Sequence, residues 1–111
     1  MDKLIIKGGS KISGSVNVHG SKNAALPIIV SSLLSEKTLK LSNVPNVVDV
    51  LNLIKLLKNY GVKIEHKKNK LKINPSKIKN LSADYDVVRK MRASILILGP
   101  LLSRFGEARI S

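Results

Sequence analysis

Cysteine is absent from this sequence, and aromatic residues make up only 3% of it. The first absence excludes a disulfide framework, a thiolate metal site and a cysteine nucleophile within these residues, and it suits a reducing compartment. The second means that any core is built from Ile, Leu, Val and Ala rather than from stacked rings, as is ordinary for layered sheets and helices. Histidine is nearly missing too: His19 and His66 are too few and too far apart to suggest a metal centre. Long apolar runs are also lacking. The longest, residues 24–30 and 95–102, fall short of the roughly 20 residues that a membrane-spanning helix needs. The opening MDKLIIKGG has an acidic second residue and no long apolar core, so it does not read as a signal peptide. The sequence reads as soluble and cytoplasmic, without a membrane partner.

Acidic residues are scarce as well, seven against 20 Lys and Arg, which leaves a net charge of +13. Such an excess invites a nucleic-acid reading. The charge is mostly lysine, however, and it is densest in residues 62–79, VKIEHKKNKLKINPSKIK. There Val62, Ile64, Leu71 and Ile73 alternate with Lys63, Glu65, Lys67, Lys70 and Lys72. That period of two predicts a hairpin with one buried and one wet face. A lysine-lined face also discourages edge pairing. Single-strand binders interleave aromatics with their charge for base stacking, and this segment has none. The pattern therefore favours a solvated sheet face over a nucleic-acid groove. A small basic module for polyanions or nucleic acid stays as the alternative from a different functional class.

What is present reads as alternating strands and helices in 111 residues, enough for one domain with a real core. Residues 4–7 and 15–19 read as strands, with Gly8 and Gly9 as a turn and Val16 and Val18 on one face. Helical spacing follows over 22–34, with Ala25, Ile29, Val30, Leu33 and Leu34 as its buried stripe. Pro27 falls in or just after the first turn if the cap lies within 21–23, and deletes at most one ladder bond. Residues 38–41 form a short strand. Asn46 then caps the clearest helix, with Asp49 in its first turn, a stripe of Val47, Val50, Leu51, Ile54 and Leu57, and Gly61 as its stop. After the hairpin, Asp84 or Asp86 caps a third helix with Val87, Val88, Met91, Ile95 and Leu98 buried. Gly99 and Pro100 kink or break it, and residues 107–111 begin another strand. The order is βαβαββ, a mixed α/β class. A chain ending on the first residues of a strand leaves ladder bonds unmatched, so the sequence is read as a fragment.

Two residues draw attention chemically. Lys22, in HGSKNAALP, stands between a strand end and a helix start, where free N–H groups carry about half a positive charge. Gly20 allows close approach, and Ser21 or Asn23 can cap the helix or donate to a ligand. Lys22 reads either as an anion ligand or as an exposed surface charge. Arg92, in KMRAS, has small neighbours, and its fork of donors suits phosphate oxygens. It reads equally as a helix-surface arginine paired with a carboxylate. Arg89, Arg104 and Arg109 are no stronger individually, and His19 reads as structural or solvent-facing.

The stretches GSKNAALPI, NVPNVVDV, YDVVRKMRASILILGPLLSRFG and KLIIKGGSKISGSVNVHG resemble, in order and spacing, the start of the UDP-N-acetylglucosamine 1-carboxyvinyltransferase family of enolpyruvyl transferases. The resemblance runs through all 111 residues. The sister family acting on shikimate 3-phosphate shares the fold, but its lysine motif reads more like S-K-S with a following N-R, which is lacking here. The resemblance implies an inside-out α/β barrel of βαβαββ repeats in two domains, with the active site between them. Residues 1–21 would be strands of the domain that the remainder of such an enzyme completes, and 22–111 the start of the other. It implies that Lys22 binds phosphoenolpyruvate, that Asn23 beside it reaches the sugar substrate, and that Arg92 contacts the nucleotide sugar. The implied partners are phosphoenolpyruvate and UDP-N-acetylglucosamine, with no metal, no cofactor and no nucleic acid. Oligomeric state is not specified. The family's proton-donating cysteine and aspartate base have no counterparts in these residues, so no catalytic residue is assigned here, and the resemblance implies no catalysis by them alone.

Overall fold

The computed structural model describes residues 1–79, 89 and 92–109. Helix α1 spans Lys22–Ser31 and runs into a 3-10 turn over Ser32–Leu34; strand β1 is Leu39–Leu41. Helix α2 is Val48–Asn59, the hairpin is β2, Lys63–Lys67, and β3, Lys70–Asn74, and a 3-10 run over Arg92–Ile97 leads into α3, Leu98–Phe105. The three strands form an antiparallel sheet in the order β1-β3-β2.

The hairpin follows the alternation. Ile64, Leu71 and Ile73 are buried on the inner face, while Lys63, Glu65, Lys67, Lys70 and Lys72 are exposed. The register pairs Ile64 with Ile73 and, across the other edge of β3, Leu41 with Leu71. Both helices share one core with this inner face, through Ile29, Val30 and Leu33 of the first segment and Val50, Leu53, Ile54, Leu56 and Leu57 of α2, and α2 packs directly against β2. Each fully buried aliphatic chain of this kind contributes about 1.5–3 kcal/mol by leaving water.

Pro27 sits inside α1 without ending it. The cap backbone at Ser21 is extended, and the first ladder bond runs from the Ala25 N–H to the Ser21 carbonyl at 2.9 Å. As the sixth residue of α1, two past the first ladder donor, Pro27 removes one ladder bond, the one to the Asn23 carbonyl, and the helix continues around it. At the far end of α2 the chain makes a Schellman closure. The Gly61 N–H donates to the Lys58 carbonyl at 3.0 Å and the Val62 N–H to the Leu57 carbonyl at 3.2 Å, with Gly61 at φ +98°. Tyr60, fully buried beside it, has a hydroxyl without a hydrogen-bond partner among the described residues. Burial pushes its phenol above the ordinary value.

Several local expectations are corrected. Residues 4–7 and 15–19 form no ladder; Leu4, Ile5, Ile6, Ile12, Val16 and Val18 are 78–95% exposed. A strand exists through its partner's hydrogen bonds, and no described strand runs beside these residues. The cap of α2 is Val47, not Asn46. The buried stripes hold at Ala25, Ile29, Val30, Leu33, Val50, Ile54 and Leu57 but differ at their margins: Leu34 and Leu51 are exposed, whereas Leu26, Leu53 and Leu56 are buried. Gly99 and Pro100 do not break a helix but lie in the first turn of α3, where a proline removes no needed donor. The preceding 3-10 run turns every three residues rather than 3.6, so Ile97 and Leu101 face the core while Ile95 is exposed. Asp84, Asp86, Val87, Val88 and Met91 lie outside the described residues. Of the strand expected at 107–111, only an isolated bridge at Arg109 is described.

Candidate active site

Lys22 is the first residue of α1 and Asp49 the second of α2. Because the two helices pack against each other, their starting turns meet, and Lys22 Nζ lies 3.0 Å from Asp49 Oδ2. Both side chains are partly open to solvent, 48% and 39%. A pair this exposed contributes no more than about 1 kcal/mol to stability. The two residues differ in how they suit their helices. Asp49 complements the positive end of α2, and Lys58 complements the opposite end. Lys22 opposes the dipole of α1, whose first turn holds no acidic residue. A cation at that position gains nothing from its own helix and adds to a field that favours anions.

Asn23 follows Lys22 on the same turn and is exposed. Arg92, also exposed, opens the 3-10 run that packs on both helices. Lys22 and Asn23 are therefore adjacent on α1, and Arg92 begins the segment that packs on α1 and α2. Asp49 was read from the sequence only as a first-turn acid. The signal that could have linked it to Lys22 is the repeated strand-then-helix order, which sets two helix starts at the same end of the layer.

A hollow of about 170 Å³ opens beside this point, lined by Gly20, Ser21, Ala24, Ser42, Asn43 and Val44. Gly20 is required by its floor. A Cβ at Gly20 would overlap the Asn43 carbonyl oxygen and come within 3.1 Å of Pro45 Cδ. Asn43 is held in the left-handed region, φ 56°, and its amide donates to the Val18 carbonyl at 3.4 Å. Gly20→Ala is expected to destabilise the protein by about 1–3 kcal/mol, as overpacking does. Urea unfolding measures this; a midpoint equal to that of the unmodified protein would mean that the 43–45 turn yields freely.

A wider hollow, about 440 Å³, lies on the outer sheet face among Lys40, Glu65, Lys67, Lys70 and Lys72. Here Lys72 stands between Lys40 and Glu65 in the register. It is larger than the hollow beside α1, but no helix start points into it and no ring lines it. The chemistry is better served at Lys22, where backbone donors and a fixed cation coincide.

Arg104, no stronger than its neighbours in sequence, has a structural task. Its Nη1 donates to the carbonyls of Leu33, Ser35 and Pro75 at 3.2, 3.3 and 3.0 Å, and its side chain is only 11% exposed. It neutralises carbonyls at the end of the α1 segment, where a cation is favoured. Among the described residues no group of three His, Asp or Glu could hold a metal ion, and no helix is long and apolar enough to cross a membrane.

The chain is similar to known proteins. The UDP-N-acetylglucosamine 1-carboxyvinyltransferase of Campylobacter hominis is 54% identical over 112 aligned residues, covering all of this chain and 27% of that protein. That of Sulfurovum sp. is 53% identical over 111 residues, again all of this chain and 26% of that protein. The chain thus spans about a quarter of the length of these relatives. Among solved structures, the enolpyruvyl transferase NikO from Streptomyces tendae superposes with a TM-score of 0.76 over 91% of this chain and 24% of that one, at 21% identity. That likeness speaks to the fold, which here is a mixed α/β segment of the enolpyruvyl transferase type. The EPSP synthase (3-phosphoshikimate 1-carboxyvinyltransferase) family matches residues 6–111, and the chain belongs to that family.

Proposed function

We propose that this chain forms the phosphoenolpyruvate-binding wall of an enolpyruvyl transferase acting on UDP-N-acetylglucosamine, in the first committed step of peptidoglycan synthesis in the cytoplasm. The observation that carries this reading is the Lys22 ammonium standing at the joined mouths of α1 and α2. The names borne by relatives 50–54% identical across the whole chain support the choice of sugar substrate.

In the proposed reaction the sugar 3-hydroxyl gives up its proton to a base and its oxygen bonds to C2 of phosphoenolpyruvate, while a proton from an acid adds to C3. The tetrahedral adduct then loses a proton from C3 as the bond from C2 to the phosphate oxygen breaks, and inorganic phosphate leaves with the electron pair. Negative charge gathers on the departing phosphate, so a cation held in place before the reaction stabilises the transition state more than mobile water does. Lys22 takes that part, Asn23 faces the sugar beside it, and Arg92 meets the nucleotide sugar. Proton transfer falls to groups outside these 111 residues. Residues 1–21, with Leu4, Ile5, Ile6, Ile12, Val16 and Val18 exposed, belong to the domain that the rest of the enzyme completes, and residues 22–111 begin the other.

The test is phosphate release by the natively encoded protein, with mass analysis of the sugar product. Phosphate should appear only when phosphoenolpyruvate and UDP-N-acetylglucosamine are both supplied, and the 111 residues by themselves should release none. Release with shikimate 3-phosphate in place of the nucleotide sugar would reassign the substrate to that of the sister enzyme.

A further inference from the structure

The geometry points to Asp49 as the positioning residue of this site: its carboxylate determines where the Lys22 ammonium stands, and so which of its N–H groups a phosphate meets. The inference rests on the reading of Lys22 as the phosphoenolpyruvate ligand.

A lysine at a helix start has four freely turning carbon bonds and an unfavourable field from its own helix. Left alone, the ammonium would swing toward water. Asp49 Oδ2, 3.0 Å away on a different helix, ties it across the α1–α2 junction. One of the three ammonium hydrogens is then committed to Asp49, and the other two are left for ligand oxygens. The half-exposed pair is a poor source of stability, so its value lies in orientation. Asp49 also offsets the lysine's charge, so that raw attraction for small anions is moderated while the direction of the N–H groups is kept. Losing the carboxylate therefore has opposite effects on loose anion binding and on productive alignment.

A double-mutant cycle in the natively encoded enzyme separates these effects. The unmodified protein, Asp49→Asn, Lys22→Ala and the double variant are compared by kcat/KM for phosphoenolpyruvate, by titration with inorganic phosphate and by thermal unfolding. Asp49→Asn is expected to lower kcat/KM about tenfold, with phosphate affinity unchanged or raised up to about fivefold and Tm within about 1 °C. In the Lys22→Ala background the same substitution should cost nothing further. A loss below about twofold overturns the positioning role, as does an equal loss in the Lys22→Ala background or a loss matched by a fall in Tm. All three leave the role of Lys22 standing. Undiminished kcat/KM in Lys22→Ala itself overturns the reading of the site and this inference with it.

Discussion

Lys22→Ala is expected to lower kcat/KM for phosphoenolpyruvate by about a hundred- to a thousandfold in the natively encoded enzyme, the scale seen when one preorganised stabiliser of developing charge is removed. The fold should not register the change. Lys22 is half exposed, its partnership with Asp49 bridges two helices already packed through Ile29, Val30, Val50 and Leu53, and removing a cation from the start of α1 relieves an unfavourable interaction with the helix. Thermal unfolding should therefore stay level or rise slightly while turnover collapses. Lys22→Arg should recover little, because a guanidinium fork suits bidentate pairing with Asp49 and turns the cation away from the ligand. A loss under about fivefold for Lys22→Ala would remove the residue from the reaction.

Gly61→Ala is the corresponding test of the fold, with an expected cost of about 3 kcal/mol and a fall in Tm of about 10–20 °C. Two penalties coincide. At φ +98° an L-residue suffers about 1–2 kcal/mol of local strain. An added Cβ would also lie 2.9 Å from both the Lys77 carbonyl oxygen and the Lys79 nitrogen. Those are backbone atoms, and the Lys79 N–H is bonded to the Tyr60 carbonyl at 2.9 Å, so the loop cannot retreat without losing that bond. Gly106→Ala is the internal control. Gly106 ends α3 at φ +76°, with nothing within 4 Å of the added carbon. Only the first penalty applies there, and the loss should be about 1 kcal/mol. Equal midpoints for the two variants in thermal unfolding would contradict the packing argument.

Much of this could be read residue by residue. The hairpin over 62–74 was legible because its period of two leaves each side chain one choice of face. Gly61 was legible because a helix stop needs the left-handed conformation, and Lys22 because it interrupts a small-residue helical start. The failures have physical causes as well. The α2 stripe was right at Val50, Ile54 and Leu57 but wrong at its margin, with Leu53 and Leu56 buried and Leu51 exposed. A run as apolar as VLNLIKLL can present more than one face, and the neighbouring layer selects it. The segment at 92–97 was misread because a period of 3.6 was assumed where a 3-10 run takes the chain into α3. The strands expected at 4–7 and 15–19 pair with no strand among the described residues, and a local pattern cannot supply a partner.

The sequence by itself determined the class of elements, the buried face of the hairpin, the end of α2 and the presence of a cation at a helix mouth. All of these depend on residues within a few positions of one another, where periodicity, dihedral preference and capping act. Tertiary structure decided the strand order β1-β3-β2, the close approach that demands glycine at position 20, and the Arg104 hydrogen bonds to carbonyls of residues 33, 35 and 75. It also decided that Lys22 meets Asp49. These are contacts between segments far apart along the chain. They form when layers pack to bury apolar area, and no local pattern specifies which polar groups that packing will bring face to face.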